Sequence, residues 1–129
     1  MFPRKIIILI GLVSFFESSL ASEIDYSKWS YDDLSHAAAE MAGDKNYKGA
    51  LKFFDLAVSA APNNPEGYLN RGGMYAILKN NDKAIQDEQR AIELAKEDTR
   101  DNIFTRCIAH QNLSAIYLKS NQFLPCVFL

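Results

Sequence analysis

The feature that most limits what this chain can fold into is one pattern written twice at a fixed distance. Laid over each other without a gap, residues 31–64 and 65–98 match at an offset of 34 residues. Ala38 then falls on Gly72, Met41 on Tyr75, Ala50 on Ala84, Leu51 on Ile85, Ala57 on Ala91 and Val58 on Ile92. A period of this length marks an array of supersecondary units, none of which can bury its apolar face alone. Each copy carries two helical stripes. Leu34, Ala37, Ala38 and Met41 form the first, and Tyr47, Ala50, Leu51, Phe54, Ala57 and Val58 the second, because spacings of three and four return to one helix face. Small residues at Ala38, Gly72, Ala50 and Ala84 let two backbones approach, and Met41, Tyr75 and Phe54 fill the space beside them.

Tyr68, Asn70, Gly72, Tyr75, Ala84, Ile85, Ala91, Ile92 and Leu94 occupy the signature positions of the tetratricopeptide (TPR) family, which the chain resembles over about two thirds of its length. The resemblance implies an all-α, TPR-like antiparallel helical hairpin array of about two and a half repeats, and it names an architecture rather than a reaction. It further implies a superhelix whose concave groove is walled by the first helix of every pair. Its candidate peptide-binding residues are Ser35, Ala39, Leu69, Asn70, Gly73, Ile77, Ile108, Gln111, Asn112 and Ala115. Members that hold a terminal carboxylate use a clamp of lysines and asparagines. The corresponding positions here read Ser35, Ala39, Asn70, Ile108 and Asn112, so carboxylate clamping is not expected. Asn70 and Asn112 each donate and accept, which suits the backbone of an extended peptide; a purely structural bond between helices is the alternative use.

Ahead of the repeats, Arg4 and Lys5 precede an uncharged apolar run from Ile6 to Phe16, and Ser19-Leu20-Ala21 supplies small residues where a signal peptidase cuts. Residues 1–21 are therefore expected to be a cleaved signal peptide. The alternative, a membrane anchor, needs roughly 20 apolar residues, about twice what is present. The expected destination is secreted or periplasmic, with no stable membrane insertion after cleavage. Cleavage removes Arg4, Lys5 and Glu17 and moves the formal charge from −2 to −3. A mildly acidic chain with no clustered Lys/Arg face is not expected to bind nucleic acid. Residues 22–30 hold Ile24, Tyr26 and Trp29 and are expected to cap the first hairpin or to occupy the groove.

Ser30 with Asp33 resembles a capping box, so the first helix should start at Tyr31. Gly43 is expected to end it in a left-handed conformation. Pro62 marks the exit of the next helix, and Pro65, capped by Asn64, opens the third. That helix is expected to run to about Leu78 and its partner from Lys83 to Lys96. Glu88, standing where the first copy has Phe54, should loosen its layer or find a partner at the edge.

After Asp98 the register breaks and returns at Asn112, Leu113, Ser114 and Tyr117, leaving Thr99–Arg106 as an insertion. Residues 99–129 read as an extended, incomplete third repeat whose first helix gains extra turns. The apolar tail at 122–129 suggests docking, truncation of a longer protein or folding back on the last helix; it is expected to self-associate or to need a partner.

Catalysis has no candidate residues: no phosphate-binding glycine loop, no G-x-S-x-G, no H-E-x-x-H and no C-x-x-C is present. His36, Glu40 and Asp44 lie down one helix side, but no second His or Cys joins them, so no metal or cofactor is expected. Cys107 and Cys126 should lie at opposite ends of their helix pair, beyond the ~7 Å Cα limit for a disulfide. The expected role is an exported protein-interaction module that holds an apolar or amphipathic segment of a protein or peptide partner. The alternative is an assembly subunit that works through its C-terminal face.

Overall fold

The computed structural model describes residues 24–120, and the expected signal peptide, the tail at 122–129 and Cys126 lie outside them. Among the described residues all regular structure is helical. A 3-10 turn, Tyr26–Lys28, precedes α1 (Tyr31–Gly43), α2 (Tyr47–Ala60), α3 (Pro65–Ile77), α4 (Asn81–Leu94) and α5 (Arg100–Lys119). The pairs α1/α2 and α3/α4 are hairpins; α2 packs on α3, and α5 packs on both α4 and α3. This is a TPR-like helical array.

Each helix starts where a short polar side chain can take its free N–H groups. At α1 the capping box is reciprocal: the Asp33 amide donates to Ser30 Oγ at 3.2 Å, and the Ser30 amide to Asp33 Oδ2 at 3.1 Å. Asn46, Asn64, Asn80 and Thr99 cap α2 to α5, each side chain accepting one backbone N–H of the first turn, without the reciprocal bond. Pro65 fills the first position of α3, where an N–H would have no partner. Asn80, expected in the turn, is the cap of α4, so that helix begins at Asn81 rather than Lys83.

The ends of α1 and α3 correct the expectation for Gly43. Among the described residues no glycine adopts a positive φ; Lys45 (φ 61°) and Lys79 (φ 60°) do, 34 residues apart. In each turn the left-handed lysine and the following asparagine donate to carbonyls of the last helical turn. Lys45 bonds Ala42 and Asn46 bonds Met41, while Lys79 bonds Ala76 and Asn80 bonds Tyr75. This is a Schellman closure. It stops α3 at Ile77. Helix α4 stops at Leu94 because Arg106 of α5 donates to the carbonyl of Ala95 at 2.6 Å and also reaches Asp98 Oδ1 at 2.7 Å.

The first hairpin has the thicker core. Leu34, Ala37, Ala38, Ala50, Phe53, Phe54 and Ala57 are buried together, with Tyr26, Trp29, Met41 and Met74 packed against them. Phe53 lies outside the stripe that helical spacing predicts. It is buried because the leader folds over it: Tyr26 meets its ring edge-on at 5.2 Å, and Trp29 lies 6.3 Å away. The second cluster is thinner: Leu69, Ala91 and Ala109, with Tyr68, Ile92 and Ile108 at its edge. Ala50, Ala57, Ala84 and Ala91 are wholly buried, as contact points between helix backbones require.

Candidate functional site

A cleft of about 460 Å³ opens between α3 and α5. Glu66, Leu69, Asn70, Gly73 and Met74 line one wall, and Asp101, Phe104, Thr105, Ile108 and Asn112 the other. Both sets follow spacings of three and four, so each is one face of its helix. Its size lies in the ~300–1,000 Å³ range of pockets that take small ligands or a few side chains.

Of the residues expected to bind peptide, the fold brings Leu69, Asn70, Gly73, Ile108 and Asn112 into this cleft. The other five stay outside it. Ser35 and Ala39 belong to α1, Ile77 is 51% exposed at the end of α3, and Gln111 and Ala115 face solvent on α5. Leu69 is both lining and core, only 8% exposed. Sequence reasoning misses Met74, Asp101, Phe104 and Thr105. Three of these lie in the Thr99–Arg106 insertion, which a register copied from the first two repeats skips. Their signal is present all the same: Asp101, Phe104, Ile108 and Asn112 return to one face at steps of three and four.

Asn112 has a partner inside the fold. Its Nδ2 donates to Glu88 Oε1 at 2.9 Å. Glu88 is neither at an edge nor in a loosened layer; it is 0% exposed, and its Oε2 has no hydrogen-bond partner. Burial pushes its carboxyl up to about 7, against the pull of the Asn112 bond and with a further push from the Asp87 charge. Gly72 makes the room: a Cβ there would stand 3.0 Å from Glu88 Oε1.

A second polar group lies beside it. Arg71 forks onto Asp87, Nε to Oδ2 at 2.7 Å and Nη2 to Oδ1 at 2.8 Å, and reaches Asp55 Oδ1 of α2 at 3.0 Å. Its guanidinium lies over the rings of Tyr68 and Tyr75, at 5.6 and 6.0 Å. The bonds to Asp87 hold Arg71 charged more firmly than usual, against partial burial. This network ties α2, α3 and α4 together and takes no part in the cleft. On α1, His36 and Glu40 approach to 3.5 Å on an exposed face, and no group of three His, Cys, Asp or Glu side chains gathers among the described residues. Cys107 is exposed with a free thiol.

No family model matches the chain. Dynein axonemal assembly factor 4 of Rattus norvegicus is 34% identical over 79 residues, which is 61% of this chain and 19% of that protein. The protein of the same name in Pan troglodytes is 38% identical over 77 residues, 60% of this chain and 18% of its own length. The tetratricopeptide repeat protein 36 homolog of Nematostella vectensis is 30% identical over 84 residues, 60% of this chain and 46% of that protein. The repeats are tetratricopeptide-like. The TPR-like chain spans less than half the length of each of these relatives. In it the cleft lies between α3, the first helix of the second hairpin, and α5.

Proposed function

We propose that this TPR-like chain is a protein-interaction module that holds an apolar or amphipathic segment of a partner between α3 and α5. The observation that carries the reading is the cleft itself, walled by Leu69, Met74, Phe104 and Ile108 with two carboxamides, Asn70 and Asn112, set among them. Phe104 is 65% exposed at its mouth, an apolar ring with no buried role in the fold. Relatives named as assembly factors agree with a role in gripping other polypeptides, and no catalytic group is part of the proposal. Export belongs to it as well, secreted or periplasmic, on the strength of the basic start, the apolar run and Ser19-Leu20-Ala21. Protein recovered outside the cytoplasm should begin at Ser22; a chain still beginning at Met1 there would refute cleavage.

An assembly subunit working through its C-terminal face is the second reading, favoured by Leu118, which is 75% exposed on α5 away from the cleft. Paired substitutions separate the two. Phe104→Asp should abolish capture of partner while leaving the fold intact, and Leu118→Asp should not; the reverse pattern favours the assembly face. Leu69→Asp is the poorer test, since it places a charge in the second core.

A further inference from the structure

We infer that the occupant of the α3–α5 cleft carries a lysine or arginine beside its apolar anchor, so that the site selects amphipathic segments that are basic; this rests on the cleft being the binding site. Glu66 stands in the first turn of α3 and Asp101 in the first turn of α5, both exposed and both lining the cleft. Among the described residues no Lys, Arg or His lines it. Neither carboxylate makes an ion pair among the described residues, whereas Asp55, Asp87, Glu93 and Asp98 all do.

Two of the three arginines on α3 and α5 are engaged elsewhere. Arg106 is spent on the end of α4 and on Asp98, and Arg71 on Asp87 and Asp55. Arg100, next to Asp101 in sequence, is not among the lining residues. The carboxamide of Asn112 adds to the polarity of the wall: its nitrogen is turned to buried Glu88, which leaves its oxygen to accept from whatever enters. An apolar floor under two unpaired carboxylates complements an apolar side chain flanked by a cation and opposes one flanked by an acid. A helix N-terminus also favours acidic side chains for stability alone, so the decisive measurement is of binding preference rather than of folding.

The test pans a phage-displayed library of random short peptides on the full chain and counter-selects on the Phe104→Asp variant. The expected result is a set of peptides with a large apolar residue and a Lys or Arg within one helical turn of it. A synthetic peptide from that set should bind about tenfold more weakly at low salt when its basic residue becomes Glu, because one exposed ion pair is lost and a like-charge repulsion takes its place. In the Glu66→Gln/Asp101→Asn double variant that ratio should shrink to about twofold or less. Peptides that depend on Phe104 but show no basic preference, or a preference the double variant leaves unchanged, would overturn the charge selection and leave the cleft reading standing. Peptides that bind wild type and Phe104→Asp alike, or no enrichment at all, would overturn both.

Discussion

The two hairpins share a backbone and differ in what they put at one layer. Phe53 and Phe54 of α2 stand where α4 has Asp87 and Glu88, at the same offset of 34. In the first hairpin the two rings sit with Leu34, Ala37 and Ala38 under the folded leader. In the second, Arg71 occupies the place of Ala37 and forks onto Asp87, while Gly72 occupies the place of Ala38 and leaves room for Glu88. Four positions have changed together. An apolar layer has become an ionic one in helices of unchanged length, 13 and 14 residues in each hairpin, and each new charge either has a partner of opposite sign or is pushed toward neutrality. The turns are indifferent to the exchange, since Lys45 and Lys79 close them through backbone bonds alone.

The largest effect should come from breaking that ionic layer on one side only. Arg71→Ala strands Asp87, which is 6% exposed, and should cost about 3 to 5 kcal/mol, the range for a buried pair that loses one partner. Arg71→Ala combined with Asp87→Phe copies the first hairpin's Ala37 and Phe53, and should recover most of that loss in urea unfolding. No recovery would mean that the second hairpin lacks the cover that Tyr26 and Trp29 give Phe53, and that the two layers are not interchangeable.

Glu88 offers a second way in, through pH. Its folded value of about 7 lies above the ordinary 4.5, so the folded state binds the proton more tightly than the unfolded chain. Stability from this group is fully present below about pH 4.5, falls as pH rises through 7 and levels off above. The difference is worth roughly 3 kcal/mol at one pKa unit per 1.36 kcal/mol. Glu88→Gln keeps an acceptor for Asn112 and cannot ionise. Its stability relative to wild type should therefore be near zero at pH 4.5 and rise to about 3 kcal/mol in its favour at pH 8. A flat difference between the two proteins would show that folding does not raise the Glu88 carboxyl above its ordinary range.

What was legible in the sequence follows the same division. The repeat, the hairpins and the buried small residues Ala50 and Ala84 could be read because spacing along one helix decides them. Phe53 could not, because its burial depends on a leader that returns over it from outside the repeat. Residue type points to Gly43 as the helix end, whereas the closure falls two residues later, where Asn46 can also cap α2. The cleft was half legible: the α3 wall follows the repeat, but the insertion supplies Asp101, Phe104 and Thr105 to the α5 wall. That Asn112 is engaged with Glu88 became visible only once α4 and α5 were side by side.

The smallest effect tests whether the two turns are as alike as their backbones. A non-glycine residue in the left-handed region carries strain of roughly 1 to 2 kcal/mol, and glycine relieves it at an entropic cost of about 0.5 to 1 kcal/mol in the unfolded chain. Among the described residues neither Lys45 nor Lys79 forms a side-chain hydrogen bond or ion pair that substitution to glycine would remove. Both bond through their backbone N–H groups, which glycine keeps. Lys45→Gly and Lys79→Gly should therefore each stabilise by about 0.5 to 1 kcal/mol. They should agree within a few tenths and add in the double variant, being in separate turns without shared partners. Urea midpoints at unchanged slope would measure it. If Lys79→Gly gained and Lys45→Gly did not, the first turn would be held by something beyond its backbone bonds, and the likeness of the hairpins would stop at their geometry.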